Sequence, residues 1–165
     1  MLDIGFSSIP IIDLSGIDDG TRRAELAEEL CTVCHEVGFA IIDGHGIAAQ
    51  VVDDVFELMQ RFFSLNEASK SLIDKRRSAQ FRGWEAVGSE FTNNRVDVRE
   101  QIDVWSEWPI ANATSDAPSA RLHGPNQWMP DDVLSGHRDV SVRWMHELGR
   151  LADRLLALLA SGLGL

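Results

Sequence analysis

The chain has 165 residues, enough for one domain with a sizeable core, and its 44% hydrophobic content is that of a folded globular protein rather than a disordered one. It carries 26 acidic against 15 basic side chains, a net charge of -11, which opposes docking on phosphate backbones and on anionic bilayers. Nucleic acid and membrane are therefore excluded as expected partners. No basic stretch followed by an apolar one opens the chain, and the longest apolar run, Leu155–Ala160, is far short of the roughly 20 residues that a bilayer span needs. A cytoplasmic, reducing location is the expectation, with both cysteines as thiols and the Asn112-Ala113-Thr114 glycosylation triplet incidental.

Ile9-Pro10-Ile11-Ile12-Asp13-Leu14 reads as a short strand, with Pro10 placing it at an edge or a strand start. Thr21 to Val37 reads as a helix whose apolar stripe is Leu26, Ala27, Leu30, Cys31, Cys34 and Val37, ended by Gly38. Phe39-Ala40-Ile41-Ile42 is a continuous apolar run, expected to be a strand buried on both faces. A second helix is expected from Ala48 to Phe63, with Val52, Val55, Phe56, Met59, Phe62 and Phe63 on its inner side. Ser64-Leu65-Asn66-Glu67 has the capping-box pattern and opens a short helix to about Asp74. Lys75, Arg76 and Arg77 then read as a solvated helix end. Alternation around Ile102, Val104 and Ser106 signals a strand, and Pro109 to Pro130 a long loop of the kind that is functional or packed on another unit. A last helix runs from Asp131 or Ser135 to Ser161, with Val140, Trp144, Leu148, Leu151, Leu155 and Leu158 as its stripe. Its final turns are apolar nearly all round and need cover on several sides, so the expected covering surface lies outside this chain.

Three groups invite a chemical reading. Cys31, Cys34 and His35 spell C-x-x-C-H, the attachment signature of a c-type haem. Both cysteines fall on an apolar helix stripe, where a free cysteine behaves as a small hydrophobe, and the haem reading also needs export. A two-cysteine zinc site lacks its second ligand pair. His137-Arg138-Asp139, with His146 nearby, offers the two histidines and a carboxylate of a facial iron triad. Residues i and i+2 on a helix lie about 200° apart, so this triplet is expected to be a charged, solvated first turn. Only 26 residues follow Asp139, too few to close a barrel around iron. His45, in Gly44-His45-Gly46, is expected to be a turn residue with a structural hydrogen bond. No phosphate-binding glycine loop and no Gly-x-Ser-x-Gly is present, and Asp53-Asp54 and Asp131-Asp132 read as solvated helix carboxylates.

Several segments match one family in its order. Ile9–Leu14 resembles its opening IPxIDLS strand, and Cys34–Phe39 with Asp43-Gly44-His45-Gly46-Ile47 resembles its C-x-x-x-GF and (N/D)HGI block. Phe62-Phe63-Ser64-Leu65 fits its FF-x-L helix end. Phe81-Arg82-Gly83-Trp84 is similar to its RGY segment with Trp84 in place of Tyr. Asp97-Val98-Arg99-Glu100 with Ile102-Asp103 is similar to D-x-(K/R)-E-x-x-(D/E), and Gly124-Pro125-Asn126-Gln127-Trp128 to its GPNQWP loop, with Met129 inserted before Pro130. The chain thus resembles the N-terminal domain of the isopenicillin N synthase-like Fe(II)/2-oxoglutarate-dependent dioxygenases.

The resemblance implies an α+β fold: helices with a few short strands, the N-terminal portion of a double-stranded β-helix (jelly-roll) oxygenase whose catalytic barrel is absent from this chain. It implies a domain over residues 1–130 and a long helix over 131–165 leading into that barrel. Fe(II) and 2-oxoglutarate would serve the full-length enzyme, held by an H-x-D…H triad and an Arg-x-Ser in the second half, with neither bound by this chain alone. No catalytic residue and no metal ligand is therefore carried over. Arg82 is the one candidate substrate-binding residue, able to hold a carboxylate with two parallel hydrogen bonds; a surface arginine, or one paired with Glu85 or Glu100, is the competing expectation. The expected partner is the missing catalytic domain or a chain supplying it. Two other readings stand beside this one: a standalone module docking its apolar C-terminal helix on a partner, and a c-type haem electron carrier.

Overall fold

The computed structural model describes residues 8–107 and 122–165. It is built from helices and short two-stranded pairings, and divides into two units. Unit one is Met1–Ala48 with His146–Leu165, and unit two is Ala49–Met145.

In unit one, β1 (Ile11–Asp13) runs parallel to β2 (Ile41–Asp43) with Ile12 opposite Ile42. Between them lies α1 (Gly20–Glu36), started by Asp19, whose carboxylate accepts the Thr21 and Arg22 N–H groups. Gly38 closes the helix, its N–H bonding back to the Val33 carbonyl. Parallel strands need such a crossover, because a tight turn cannot join them. The core is Ile12, Leu14, Ile17, Leu26, Ala27, Leu30 and Leu158, with Val33, Ile42, Leu151, Leu155 and Leu159 packed against it. Leu158 comes from α4 (His137–Gly162), a helix that starts within unit two and ends in unit one.

Two expectations are corrected here. Val33, not Cys34, continues the inner stripe of α1; Cys34 is exposed and Cys31 half-buried, its thiol 3.7 Å from the Leu159 carbonyl. The run Phe39–Ile42 is not buried on both faces either. Side chains alternate along a strand, so Ile42 joins the core while Ile41 stays 49% exposed. The turn after β2 fits expectation, with His45 Nδ1 accepting the Ile47 N–H and Arg154 reaching the His45 carbonyl. Gly44, at φ +57, is required there, since a Cβ would sit 2.2 Å from the Asp13 carboxylate.

In unit two, α2 (Ala49–Phe63) buries Val51, Leu58 and Phe62. Its inner face is thus turned from the expected one, leaving Phe56 and Phe63 exposed. The next helix, α3 (Glu67–Lys70), is capped by Asn66, whose side chain accepts the Ser69 N–H; Ser64 instead bonds back to the Gln60 carbonyl. Two 3₁₀ turns follow, Ser71–Ile73 and Lys75–Arg77, where one helix to Asp74 was expected. β3 (Gly83–Glu85) pairs antiparallel with β6 (Gln101–Asp103), and between them β4 (Phe91–Thr92) and β5 (Arg95–Val96) form a hairpin. Its turn, Asn93-Asn94, has both residues at positive φ, a combination that asparagine tolerates. The core is Leu58, Phe62, Ile73, Trp84, Met129 and Leu134. The last helix begins at His137, because Asp131–Gly136 form turns. Among the described residues no helix is long and apolar enough to cross a membrane.

Candidate functional site

An open cavity of about 860 Å³ lies in unit two, lined by Asp74, Lys75, Arg76, Ser78, Phe81, Trp84, Glu85, Ala86 and Ser89. Strand β3 supplies two of its lining residues, Trp84 and Glu85. In the β3–β6 pair, Gly83 faces Asp103 and Glu85 faces Gln101, so these residues share one side, while Trp84 and Ile102 point together to the core. Lys75 sits on the polar side, 2.9 Å from Glu85 and 2.8 Å from Asp103. Burial acts to lower its pKa, but the hydrogen bonds it donates to Asp103 and Glu85 outweigh that and raise the pKa above the usual lysine value. The expected solvated helix end is therefore corrected: only Arg76 and Arg77 of that trio are exposed, and Arg76 grips Asp74.

Behind the cavity, Lys70 is buried and lies 2.7 Å from Glu100, whose carboxylate also accepts the Trp84 indole N–H at 2.7 Å. Burial opposes ionisation of Glu100, yet the bonds from Lys70 and Trp84 hold its pKa below the ordinary glutamate value. Lys70 drew no notice in the sequence, because a lysine in a short helix carries no mark of burial.

The segment Ser78–Gly83 sets the cavity rim. Ser78 Oγ accepts both the Gln80 and the Arg82 N–H, tightening a turn that puts Phe81 at φ +60, a conformation costly for an aromatic residue. Phe81 lines the cavity and is 59% exposed. Gly83 follows at φ +114, where an added Cβ would lie 2.1 Å from the Ile73 carbonyl.

Arg82 is 1% exposed and does not line the cavity. Its Nη2 donates to the Leu122 carbonyl at 2.6 Å, its Nη1 to the Gln80 carbonyl, and its guanidinium stacks 4.4 Å from the Trp105 ring. Both competing expectations, an exposed arginine or a pairing with Glu85 or Glu100, are overturned. Both terminal nitrogens are engaged by backbone carbonyls, so a two-point grip on a carboxylate would require Arg82 to surrender them. Nε is buried and has no hydrogen-bond partner.

The loop 124–129 clamps this wall. Asn126 accepts the Trp105 N–H and donates to the Trp105 carbonyl; the Gln127 amide bonds the carbonyls of Ile73, Asp74 and Arg82. Trp128 donates to Glu107, and the Met129 N–H donates to His137 Nδ1 at 3.0 Å. Residues 109–121 of the expected long loop, with the Asn112 triplet, lie outside the described residues.

His137 overturns the expectation of a solvated triplet. Its ring has no solvent exposure, between Phe62 and Trp128, and burial lowers its pKa to about 4. Arg138 and Asp139 do face solvent, so the triplet diverges as the helical spacing requires. Among the described residues no three His, Cys, Asp or Glu side chains group to hold a metal ion, so the described residues do not fit an iron site.

Residues 9–131 match the family model described as the non-haem dioxygenase in morphine synthesis N-terminal domain. The chain belongs to that family. As a dioxygenase N-terminal domain it is 31% identical over 162 residues to the 2-oxoglutarate-dependent dioxygenase frbJ of a Dothideomycetidae species, covering 98% of this chain and 43% of the relative. It is 32% identical over 132 residues to a homoarginine-6-hydroxylase of Arabidopsis thaliana, covering 74% of this chain and 39% of the relative. The fold is similar to that of a full-length Neurospora crassa protein crystallised in complex with alpha-KG, with TM-score 0.75 and 22% identity, over 95% of this chain and 47% of that one. The chain thus spans less than half the length of these relatives.

Proposed function

We propose that this chain is the N-terminal half of a non-haem iron, 2-oxoglutarate-dependent dioxygenase acting on a small organic substrate, and that it is inactive alone. In this reading residues 1–130 form the N-terminal domain and 131–165 lead into a catalytic barrel that supplies iron, 2-oxoglutarate and the chemistry. The observation that carries it is the cavity rim: strain held at Phe81, a glycine-only position at Gly83 and a clamp of side-chain amides fix one wall. Backbone strain is retained where surrounding structure over-determines it, and it concentrates at functional sites. This half therefore contributes a preformed pocket wall of Phe81, Trp84 and Ser78 that orients substrate and keeps water away.

Arg82 keeps its proposed place beside the substrate, reaching a carboxylate once the Gln80 and Leu122 carbonyls give way. Arg82→Lys in the two-half enzyme separates the roles. A substrate contact predicts a raised KM beside the lowered melting temperature; a purely structural clamp predicts a lowered melting temperature with KM unchanged. For the whole reading, the purified chain is assayed for iron-dependent succinate release with and without the second half. Release only from the combined halves supports it, and release by the chain alone sinks it.

The exposed Leu156, 63% accessible on α4, favours a second reading, a module that docks this helix on a partner. Sedimentation of the chain decides: a strict monomer unaffected by Leu156→Glu counts against it.

A further inference from the structure

His137 is fully buried and ionisable, yet the cavity makes no use of it. Because Nδ1 accepts the Met129 N–H, the neutral ring carries its proton on Nε2. That nitrogen is buried without a hydrogen-bond partner. The ring is stacked on Phe62 of α2, with centroids 5.8 Å apart, and meets Trp128 edge-on at 5.3 Å. Met129 is the last residue of the strap 126–129, whose Asn126 and Gln127 hold Trp105 and the carbonyls of Ile73, Asp74 and Arg82.

We propose that His137 is a proton-operated latch: its neutral ring fastens the strap that clamps the cavity wall, and protonation releases that strap. The present contacts suit only the neutral ring. A second ring proton would place an N–H donor on Nδ1, 3.0 Å from the Met129 N–H donor, and the resulting cation would have no acceptor at Nε2. Burial lowers the ring's pKa, and among the described residues the charged groups on the elements packed against it are exposed or engaged elsewhere. From its own helix, Arg138 pairs with Glu107 and Asp139 faces solvent; Asp131 and Asp132 in the preceding turns and Arg61 beside Phe62 are exposed. Glu107 is occupied by the Trp128 indole and Arg138. The latch belongs to this chain and stands whether or not the chain is half of an oxygenase.

Amide exchange of the 165-residue chain, corrected for intrinsic rates, is measured at about pH 7 and about pH 4.5. Peptides covering 126–129 are expected to exchange at least about tenfold faster at the lower pH, while those of β1 and α1 keep their protection. In His137→Phe the strap is expected to exchange fast at both values, with the pH response gone. If that variant does not fold, ring NMR of the unaltered chain decides. The ring is expected to stay neutral, with its proton on Nε2, down through pH 6, and to titrate together with the loss of strap protection. Strap exchange equal at both pH values, a pH response that persists in His137→Phe, or a ring titrating near its ordinary value under an intact strap would overturn the proposal.

Discussion

A histidine whose pKa falls from 6.5 to about 4 on folding ties stability to pH with a definite sign. The unfolded chain binds the extra proton first, so the neutral form's contribution is complete above pH 6.5 and is lost as pH falls towards 4. The loss is about 3 kcal/mol. Urea titrations across that window are expected to show it, and His137→Asn to flatten the curve. Phe81 and Gly83 respond to a different force, backbone strain. Phe81→Gly is expected to be more stable than Phe81→Ala by about 1 kcal/mol, because glycine adopts φ +60 without the Cβ clash. Gly83→Ala is expected to cost about 3 kcal/mol or more in the same denaturation assay, since its Cβ meets backbone rather than a movable side chain. None of these positions announced itself as strained or buried in the sequence. Arg82-Gly83 stood out by motif, but φ at Phe81 and the burial of His137 depend on what the rest of the chain packs against them.

At the scale of elements, the Lys70–Glu100 bond ties α3 to the stretch before β6, with Trp84 of β3 as third member. Removing the Lys70 charge leaves a half-buried Glu100 carboxylate with the Trp84 indole N–H but no counter-charge. Lys70→Met is expected to cost about 3 kcal/mol, and Lys70→Met with Glu100→Gln to recover part of it; a double-mutant cycle by chemical denaturation measures the coupling. The helices were legible from their apolar spacing, as was the β6 strand from its alternation. Their faces were read less well. On α2 the buried set is Val51, Leu58 and Phe62 rather than the stripe through Phe56, and on α1 Val33 rather than Cys34. A neighbouring apolar residue, about 100° to one side, satisfies nearly the same periodicity, so only the opposing surface chooses between them. The β4–β5 hairpin was missed, because two-residue strands are too short for alternation to register.

For the molecule as a whole, the sequence by itself determined the family, since six short motifs in one order survive as a pattern however each packs. It also determined the α+β content, while the parallel pairing of β1 with β2 across α1 emerged only in the fold. The tertiary structure decided what the motifs do. GPNQW is a clamp, with amide side chains satisfying carbonyls of Ile73, Asp74 and Arg82 that are far away in sequence. Arg82 is a buried brace rather than a surface charge, and His137 a buried acceptor rather than a solvated helix start. The physical reason is common to all three. Local propensity and hydrophobic period fix backbone conformation over a few residues. Burial, pKa and hydrogen-bond partners are set mostly by groups brought together from 8 to 75 residues apart, and only folding supplies those neighbours.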